Sequence, residues 1–318
     1  MQSIDVSAHL DATAASAVFD LIGLAEIADG YRPVSDQFWV DLTSTTRNDL
    51  LRIRLSESES ESDSASAIPV AYAQVSPTAT SWSVELVVRP DRRTDLEAIA
   101  RTMMDAAIAA ASAIAREPIE LSWLVYSPTL THEAIAESLG LAPRRRLYQM
   151  RRSLPTNLDF TLNTRPFTPG ADDDAWLHVN RRAFSWHAEQ GQWTHDTLNS
   201  RMSEPWFDPT GFLLHERDSR LAGFCWTKIH SDTNPSLGEI YVIAVDPDFH
   251  GLGLGRALTL AGLHNMAERG ITVGMLFVDA DNTGAVALYT KLGFTIHRVD
   301  CMYQGTIDSH PNSQGDAR

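Results

Sequence analysis

Two landmarks in this chain occur twice, displaced by nearly equal distances, and the repetition constrains the fold more than any other feature. A strand-like run ends Leu86-Val87-Val88-Arg89-Pro90 and again Ile243-Ala244-Val245-Asp246-Pro247, with the prolines 157 residues apart. A short helical stretch ends Ser138-Leu139-Gly140-Leu141 and again Lys291-Leu292-Gly293-Phe294, with the glycines 153 residues apart. Between the landmarks each copy reads as a helix and an apolar strand: about 95–115 and 119–126 in the first, about 255–269 and 271–278 in the second. Two equal shifts of about half the chain mark an internal duplication of an α/β unit. Two unrelated α/β domains would have to share weak Pro and Leu-Gly punctuation by coincidence.

The 318-residue length accommodates two domains, and 43% hydrophobic residues suffice for packed cores. Ser56 to Ser66 is a Ser/Glu tract that reads as a solvated loop between strands 49–55 and 68–75. Ser153 to Gly170, with Pro155, Pro166 and Pro169, reads as a linker feeding a first strand near Thr164–Phe167. The expected organisation is a first α/β domain over 1–153, a second over 164–307 and a frayed tail over 308–318, each domain a mixed twisted sheet flanked by helices.

Composition excludes several classes. No uninterrupted apolar run of about 18 residues occurs, so no membrane span is expected. The first twenty residues lack a basic region followed by an apolar one, so no signal peptide is expected. Cys225 and Cys301 make neither a disulfide framework nor a zinc spacing, which fits a reduced cytosolic protein. With 26 basic against 41 acidic residues the net charge is −15, which disfavours a nucleic-acid partner but not an anion held in a local pocket. The basic cluster at Arg144-Arg145-Arg146 and Arg151-Arg152 therefore reads as strand surface, and the histidines show no paired spacing for a metal.

The sharpest local signal is Val245-Asp246-Pro247-Asp248-Phe249-His250-Gly251-Leu252-Gly253-Leu254-Gly255-Arg256. A strand ends, three glycines alternate and a helix opens. Glycine lets the backbone adopt left-handed dihedrals and approach a ligand, and a helix N-terminus presents unpaired N–H groups. Together these form a pyrophosphate cradle, with Arg256 at its rim. A triphosphatase loop requires Gly-Lys-Ser/Thr, whereas Gly255-Arg256-Ala257 stands here. The dinucleotide fingerprint fails too, because its third glycine position holds Arg256.

The loop resembles Val-x-Pro-x-x-(Arg/Gln)-Gly-x-Gly-x-(Gly/Ala), the acetyl-CoA loop of GNAT N-acetyltransferases, departing from it only at His250. Downstream, Val278-Asp279-Ala280-Asp281-Asn282, Ala285 to Tyr289 and Leu292-Gly293-Phe294 also resemble that family. The resemblance implies that Asn282 and Ala285 contact CoA and that Tyr289 protonates the leaving thiolate. Trp206-Phe207-Asp208-Pro209, Gly223-Phe224-Cys225-Trp226-Thr227-Lys228, Leu237-Gly238-Glu239-Ile240-Tyr241-Val242, Glu189-Gln190-Gly191-Gln192-Trp193 and Pro33-Val34-Ser35-Asp36 are similar to the tandem-GNAT mycothiol synthase family. That family acetylates the cysteinyl amine of Cys-GlcN-Ins, an actinobacterial small molecule, so the resemblance implies a cytoplasmic, monomeric acetyltransferase. An aminoglycoside-type amine as acceptor and a non-catalytic acyl-CoA sensor are the alternatives.

Acetyl transfer to an amine needs a base for the ammonium, a group that polarises the carbonyl, and an acid for the thiolate. Glu239, at the start of the strand before the loop, is the candidate base. The N–H groups of Ile243, Ala244 and Val245 can bind the acetyl carbonyl and the pantetheine arm if that strand splays. Tyr289 is the candidate acid. Lys228, Glu189 and Asp36 are expected to hold the substrate. Phe277 stands where the family leads one to expect Tyr, so a hydroxyl contact is missing. In the first half, Asp91-Arg92-Arg93-Thr94-Asp95 has no glycine, and the position matching Tyr289 is Ala136. That half is expected to be non-catalytic; whether Arg92, Arg93 and Leu86–Val88 still hold a CoA stays open.

Overall fold

In each half of the chain the strands read from the sequence pair into mixed sheet, and helices cover both of its faces. A computed structural model describes all residues except 1, 43, 45–46, 58–67, 79–80, 116–117, 187–189, 232 and 308–318. The Ser/Glu loop and the tail thus lie largely or wholly outside the described residues. The first half contains β1 (Gln2–Ser7), α1 (Ala12–Asp29), α2 (Asp36–Leu42), β2 (Leu51–Glu57), β3 (Ala71–Pro77), β4 (Trp82–Val88), α3 (Leu96–Ile114), β5 (Ile119–Tyr126), α4 (Leu130–Ser138) and β6 (Ala142–Ser153). The second contains β7 (Arg165–Pro166), α5 (Asp173–Ala183), α6 (His195–Met202), β8 (Phe212–Arg217), β9 (Arg220–His230), β10 (Leu237–Val245), α7 (Leu254–Glu268), β11 (Val273–Asp279), α8 (Thr283–Lys291) and β12 (Thr295–Ile307).

Contacts divide the chain into Met1–Arg146 with the segment from Val299 onward, and Leu147–Arg298. The expected domain limits at 153 and 164 follow chain order and differ from this division. Residues 147–153 of β6 pair with β11, and residues 300–307 of β12 pair with β5. Each unit thus takes its last strand from the other half of the chain, because backbone pairing overrides sequence proximity.

In the first unit, β1 to β5 follow one another in the sheet and β12 completes it. All pairings are antiparallel except the parallel β4–β5. β3 alternates between two cores. Tyr72 packs with Val18, Leu21 and Phe38 from α1 and α2, while Ala71, Ala73 and Val75 pack with Met103, Met104 and Ala107 from α3. A strand covered on both faces reads as a near-continuous apolar run.

In the second unit the order is β6, β11, β10, β9, β8, β7, again with one parallel pair, β10–β11. One face carries Phe212, Leu214, Phe224, Trp226, Val242 and Ala244 against Trp176 and Leu177 of α5. The other carries Cys225, Ile240, Leu276 and Val278 against Leu258 and Leu263 of α7 and Tyr289 of α8. Close approach explains Gly262: a Cβ there would sit 2.5 Å from the Cys225 sulfur.

Candidate active site

Two strand irregularities create the site. β10 pairs with β11 only from Leu237 to Ile240, although β11 goes on pairing with β6 through Asp279. On its other side β10 stays paired with β9 through Val245, with a register shift at Tyr241. β10 and β11 therefore part after Ile240. Asp246 N–H donates to the Ala222 carbonyl on the β9 side at 2.9 Å. Because N–H directions alternate along a strand, those of Ile243 and Val245 face the gap, while that of Ala244 faces β9.

At the end of β10, Asp246 accepts from Asp248 N–H and starts the turn Pro247–Phe249. Asp246 is 1% exposed and paired with Arg182 at 2.9 Å, and Arg182 and Arg220 both hold Asp248. Arg220, then Arg182, keep the Asp248 carboxyl below the usual carboxylate range. The acids of the loop are therefore neutralised from outside it. Gly251 and Gly253 adopt φ of +79° and +76°, and Gly253 caps α7 with no side chain of its own. The first intrahelical bond is Ala257 N–H to Gly253, which leaves the N–H groups of Leu254, Gly255 and Arg256 free at the helix mouth. Leu252 is exposed at the loop tip. The His250 imidazole folds back to within 3.1 Å of the Val245 carbonyl, so it ties the loop to the strand end. Arg256 is exposed and donates to the Asp159 carbonyl.

The candidate base and acid lie on opposite faces of the sheet. Across four strands the register forms one row, Lys228, Glu239, Met275 and Arg151, whose side chains share a face. Glu239 is 7% exposed, and its Oε2 lies 2.7 Å from His230 Nε2. Lys228 Nζ sits 4.9 Å from the Trp206 ring centroid and 5.8 Å from that of Tyr241, a cation–π clamp. Phe277, two residues beyond Met275, shares this face, is 37% exposed, and has the Arg298 guanidinium 6.0 Å from its ring. Tyr289 belongs to the other face. It is 8% exposed and packs edge-to-face on Phe294, and burial, with a smaller contribution from Cys225, raises its phenol pKa. Among the described residues its hydroxyl has no hydrogen-bond partner. Asn282, expected to meet CoA, caps α8 by accepting from the N–H of Ala285, the other residue expected there.

The first unit repeats the scaffold with different residues. β4 pairs with β5 only through Glu85, so these strands part as well. Leu141 N–H donates to the Ala136 carbonyl before αL Gly140, as Phe294 N–H donates to Tyr289 before αL Gly293. The match confirms that Ala136 stands in the place of Tyr289. The segment Pro90–Asp95 is a 3-10 turn in which Arg92 pairs with Glu57 and Asp95, and Arg93 with Asp29. Glu85 is buried and accepts from Ser35 N–H at 2.8 Å and Ser35 Oγ at 2.6 Å. Burial raises its carboxyl pKa against these bonds. Ser35 Oγ in turn accepts from Phe38 N–H in the first turn of α2, which fixes the backbone carrying Asp36. Of the expected substrate residues, Glu189 lies outside the described residues. Sequence reasoning missed His230, Trp206 and Tyr241 as site residues. The period-two run Trp226, Lys228, His230 was the available signal, since it puts all three on one strand face.

Among the described residues no group of three His, Cys, Asp or Glu side chains could hold a metal ion. No described helix is long and apolar enough to cross a membrane. Residues 180–294 match the model of the acetyltransferase (GNAT) family. The mycothiol acetyltransferase of Thermomonospora curvata is 40% identical over 296 residues, covering 90% of this chain and 93% of that protein. That of Streptomyces griseus is also 40% identical, with 93% of each chain covered. Among solved structures, a GCN5-related N-acetyltransferase from Sphaerobacter thermophilus aligns with TM-score 0.71 at 20% identity over 96% of each chain. A tandem GNAT protein from the clavulanic acid biosynthesis pathway aligns with TM-score 0.62 at 16% identity, covering 98% of this chain and all of that one. The two structural matches carry the fold alone, whereas the relatives, similar over nine-tenths of their length, carry more. The chain belongs to the mycothiol acetyltransferase family of GNAT acetyltransferases.

Proposed function

We propose that this protein transfers the acetyl group of acetyl-CoA to the cysteinyl amine of Cys-GlcN-Ins, giving mycothiol and CoA. The observation that carries the reading is the opening between β10 and β11, with a carboxylate on one face of the sheet, a phenol on the other and the αL glycine loop at its end. The donor fits this framework. The free N–H groups of Leu254, Gly255 and Arg256 suit a pyrophosphate, and no Cβ at Gly251 or Gly253 crowds them. The N–H groups of Ile243 and Val245 suit the extended pantetheine arm and the acetyl carbonyl.

Glu239 takes a proton from the substrate ammonium, directly or through one water. The neutral amine attacks the thioester carbonyl, the N–H groups facing the gap stabilise the oxyanion, and the C–S bond breaks as the nitrogen gives its second proton to solvent, from which Tyr289 is afterwards reprotonated. Tyr289, kept protonated by its burial, gives its proton to the sulfur from the opposite face. Lys228, held between Trp206 and Tyr241, offers hydrogen bonds to the polyol, and the family resemblance assigns Glu189 to the same substrate. The first unit is non-catalytic, since it has neither the glycine cradle nor a hydroxyl at Ala136.

The test is incubation with acetyl-CoA and Cys-GlcN-Ins, followed by mass spectrometry, beside a panel of aminoglycoside and peptide amines. A mass gain of one acetyl group on Cys-GlcN-Ins is expected. A folded sample that binds acetyl-CoA yet acetylates only another amine overturns the substrate assignment.

A further inference from the structure

Glu239 is a buried carboxylate directly opposite Lys228 in the sheet register, yet it does not pair with that ammonium. Lys228 turns instead to the faces of Trp206 and Tyr241. Among the described residues, the only side chain that hydrogen-bonds Glu239 is His230, one diagonal step away across the β9–β10 pair. The two groups have 21% and 10% of their side-chain surface exposed, so the 2.7 Å contact sits largely out of water. The backbone that carries the imidazole is itself held. The Thr233 hydroxyl lies 3.0 Å from the His230 carbonyl and accepts from Leu237 N–H, which fixes the connection between the strands.

We infer that His230 is a positioning residue for Glu239: its Nε2–H donates to Oε2, fixes the carboxylate plane and leaves Oε1 as the atom that takes the substrate's proton. The inference rests on the reading of Glu239 as the base. Two physical effects follow. A charge-assisted hydrogen bond from the imidazole keeps Oε2 occupied, so Oε1 alone is presented to the substrate. It also removes the freedom of the side chain to rotate, which matters because a proton acceptor must lie within hydrogen-bond reach of the ammonium. The product proton leaves from Oε1 to solvent, and no proton needs to pass through the imidazole. The other charged or titratable groups on or near this face include Lys228 on β9, Tyr241 on β10, Asp279 on β11, Arg151 on β6, and His297 and Arg298 at the start of β12; burial and then the two arginines lower the His297 pKa. None of them contacts the Glu239 carboxylate.

The experiment compares wild type with Glu239→Gln, His230→Phe and His230→Gln. Each variant is followed by thermal melting and by kcat and kcat/KM across pH, with the acetyl-CoA KM measured separately. Glutamine can offer a side-chain N–H to Oε2; phenylalanine keeps volume and offers none. The expected result is a His230→Phe enzyme with kcat about tenfold lower or more and an unchanged acetyl-CoA KM. His230→Gln is expected to recover most of the rate. A folded His230→Phe enzyme with the wild-type kcat overturns the inference, as does a folded His230→Gln enzyme no better than His230→Phe. Glu239→Gln separates the two levels. If it keeps full activity, the base assignment fails; if it is inactive while both His230 variants match wild type, only the role of His230 fails.

Discussion

Replacing Gly253 by alanine isolates the conformational part of the loop's design. The residue has φ of +76° at the N-cap of α7, and a Cβ built on it meets no atom within 4 Å. Steric clash is therefore absent, and the cost is that of holding an L-residue in the left-handed region, about 1–2 kcal/mol. That energy must appear in one of two places. If the loop keeps its shape, the melting temperature falls by about 2–4 °C per kcal/mol for a unit of this size. If the loop relaxes, the N–H cradle is disturbed and the acetyl-CoA KM rises about 5- to 30-fold, at about 1.4 kcal/mol per factor of ten. Gly255→Ala is the contrasting case. That residue lies inside α7, and its Cβ would meet Leu288 at an ordinary 3.6 Å. Helix preference there stabilises by about 0.5–1 kcal/mol, so melting should rise while the acetyl-CoA KM also rises, because the methyl stands over the cradle. Melting curves and initial rates with acetyl-CoA varied at saturating amine read both quantities. Gly253→Ala with unchanged melting and unchanged KM refutes the conformational argument. Gly255→Ala with unchanged KM refutes the placement of the pyrophosphate.

Tyr289→Phe should lower kcat by about 10²- to 10⁴-fold and leave melting nearly unchanged, since the hydroxyl has no hydrogen-bond partner among the described residues; rate assays and melts on one sample decide this. Gly262→Ala should destabilise by about 1–3 kcal/mol through contact with the Cys225 sulfur, and adding Cys225→Ala should recover part of the loss in a double-mutant cycle read by denaturant unfolding. Burial raises the Glu85 pKa above its ordinary 4.5, so its contribution to stability is full below that value and is lost as pH rises through the folded-state value; Glu85→Gln should remove that component from a plot of melting temperature against pH. Both cysteines are buried and the Cys225 thiol is pushed up to about 12, so the native protein should resist a thiol reagent that labels it fully once unfolded.

What was legible in the sequence was what short-range chemistry encodes. Gly251 and Gly253 announced themselves because a left-handed turn before a helix needs glycine within a few residues of the strand end. Ala136 could be set against Tyr289 because a local capping pattern, Leu-Gly after a short helix, recurs in both halves. The partner of Glu239 was hidden, because His230 reaches it only through the pairing of two strands and nothing local reports that register. The extra residue at Tyr241 was equally silent: it shifts the register so that Val242 and Ala244 pack on α5, and no residue type marks it. Composition gave no hint of the loop's electrostatics either. The acids Asp246 and Asp248 look hostile to a phosphate until Arg182, more than sixty residues earlier, is seen to hold them.

The exchange of terminal strands has a consequence for how the chain is made. As the polypeptide emerges, the first half reaches the end of β6 with β5 still missing a neighbour, because the strand that pairs with β5 lies far downstream, at Thr295–Ile307. Residues 147–153 meanwhile await β11, more than a hundred residues downstream. The strand β5 can acquire this partner only after β12 has been synthesised. A gene split at residue 153 would deliver one fragment with a strand it cannot use and another with one it cannot pair. The duplication that looks modular in the primary sequence has become, through two seven- or eight-residue pairings, a single cooperative folding problem with high contact order.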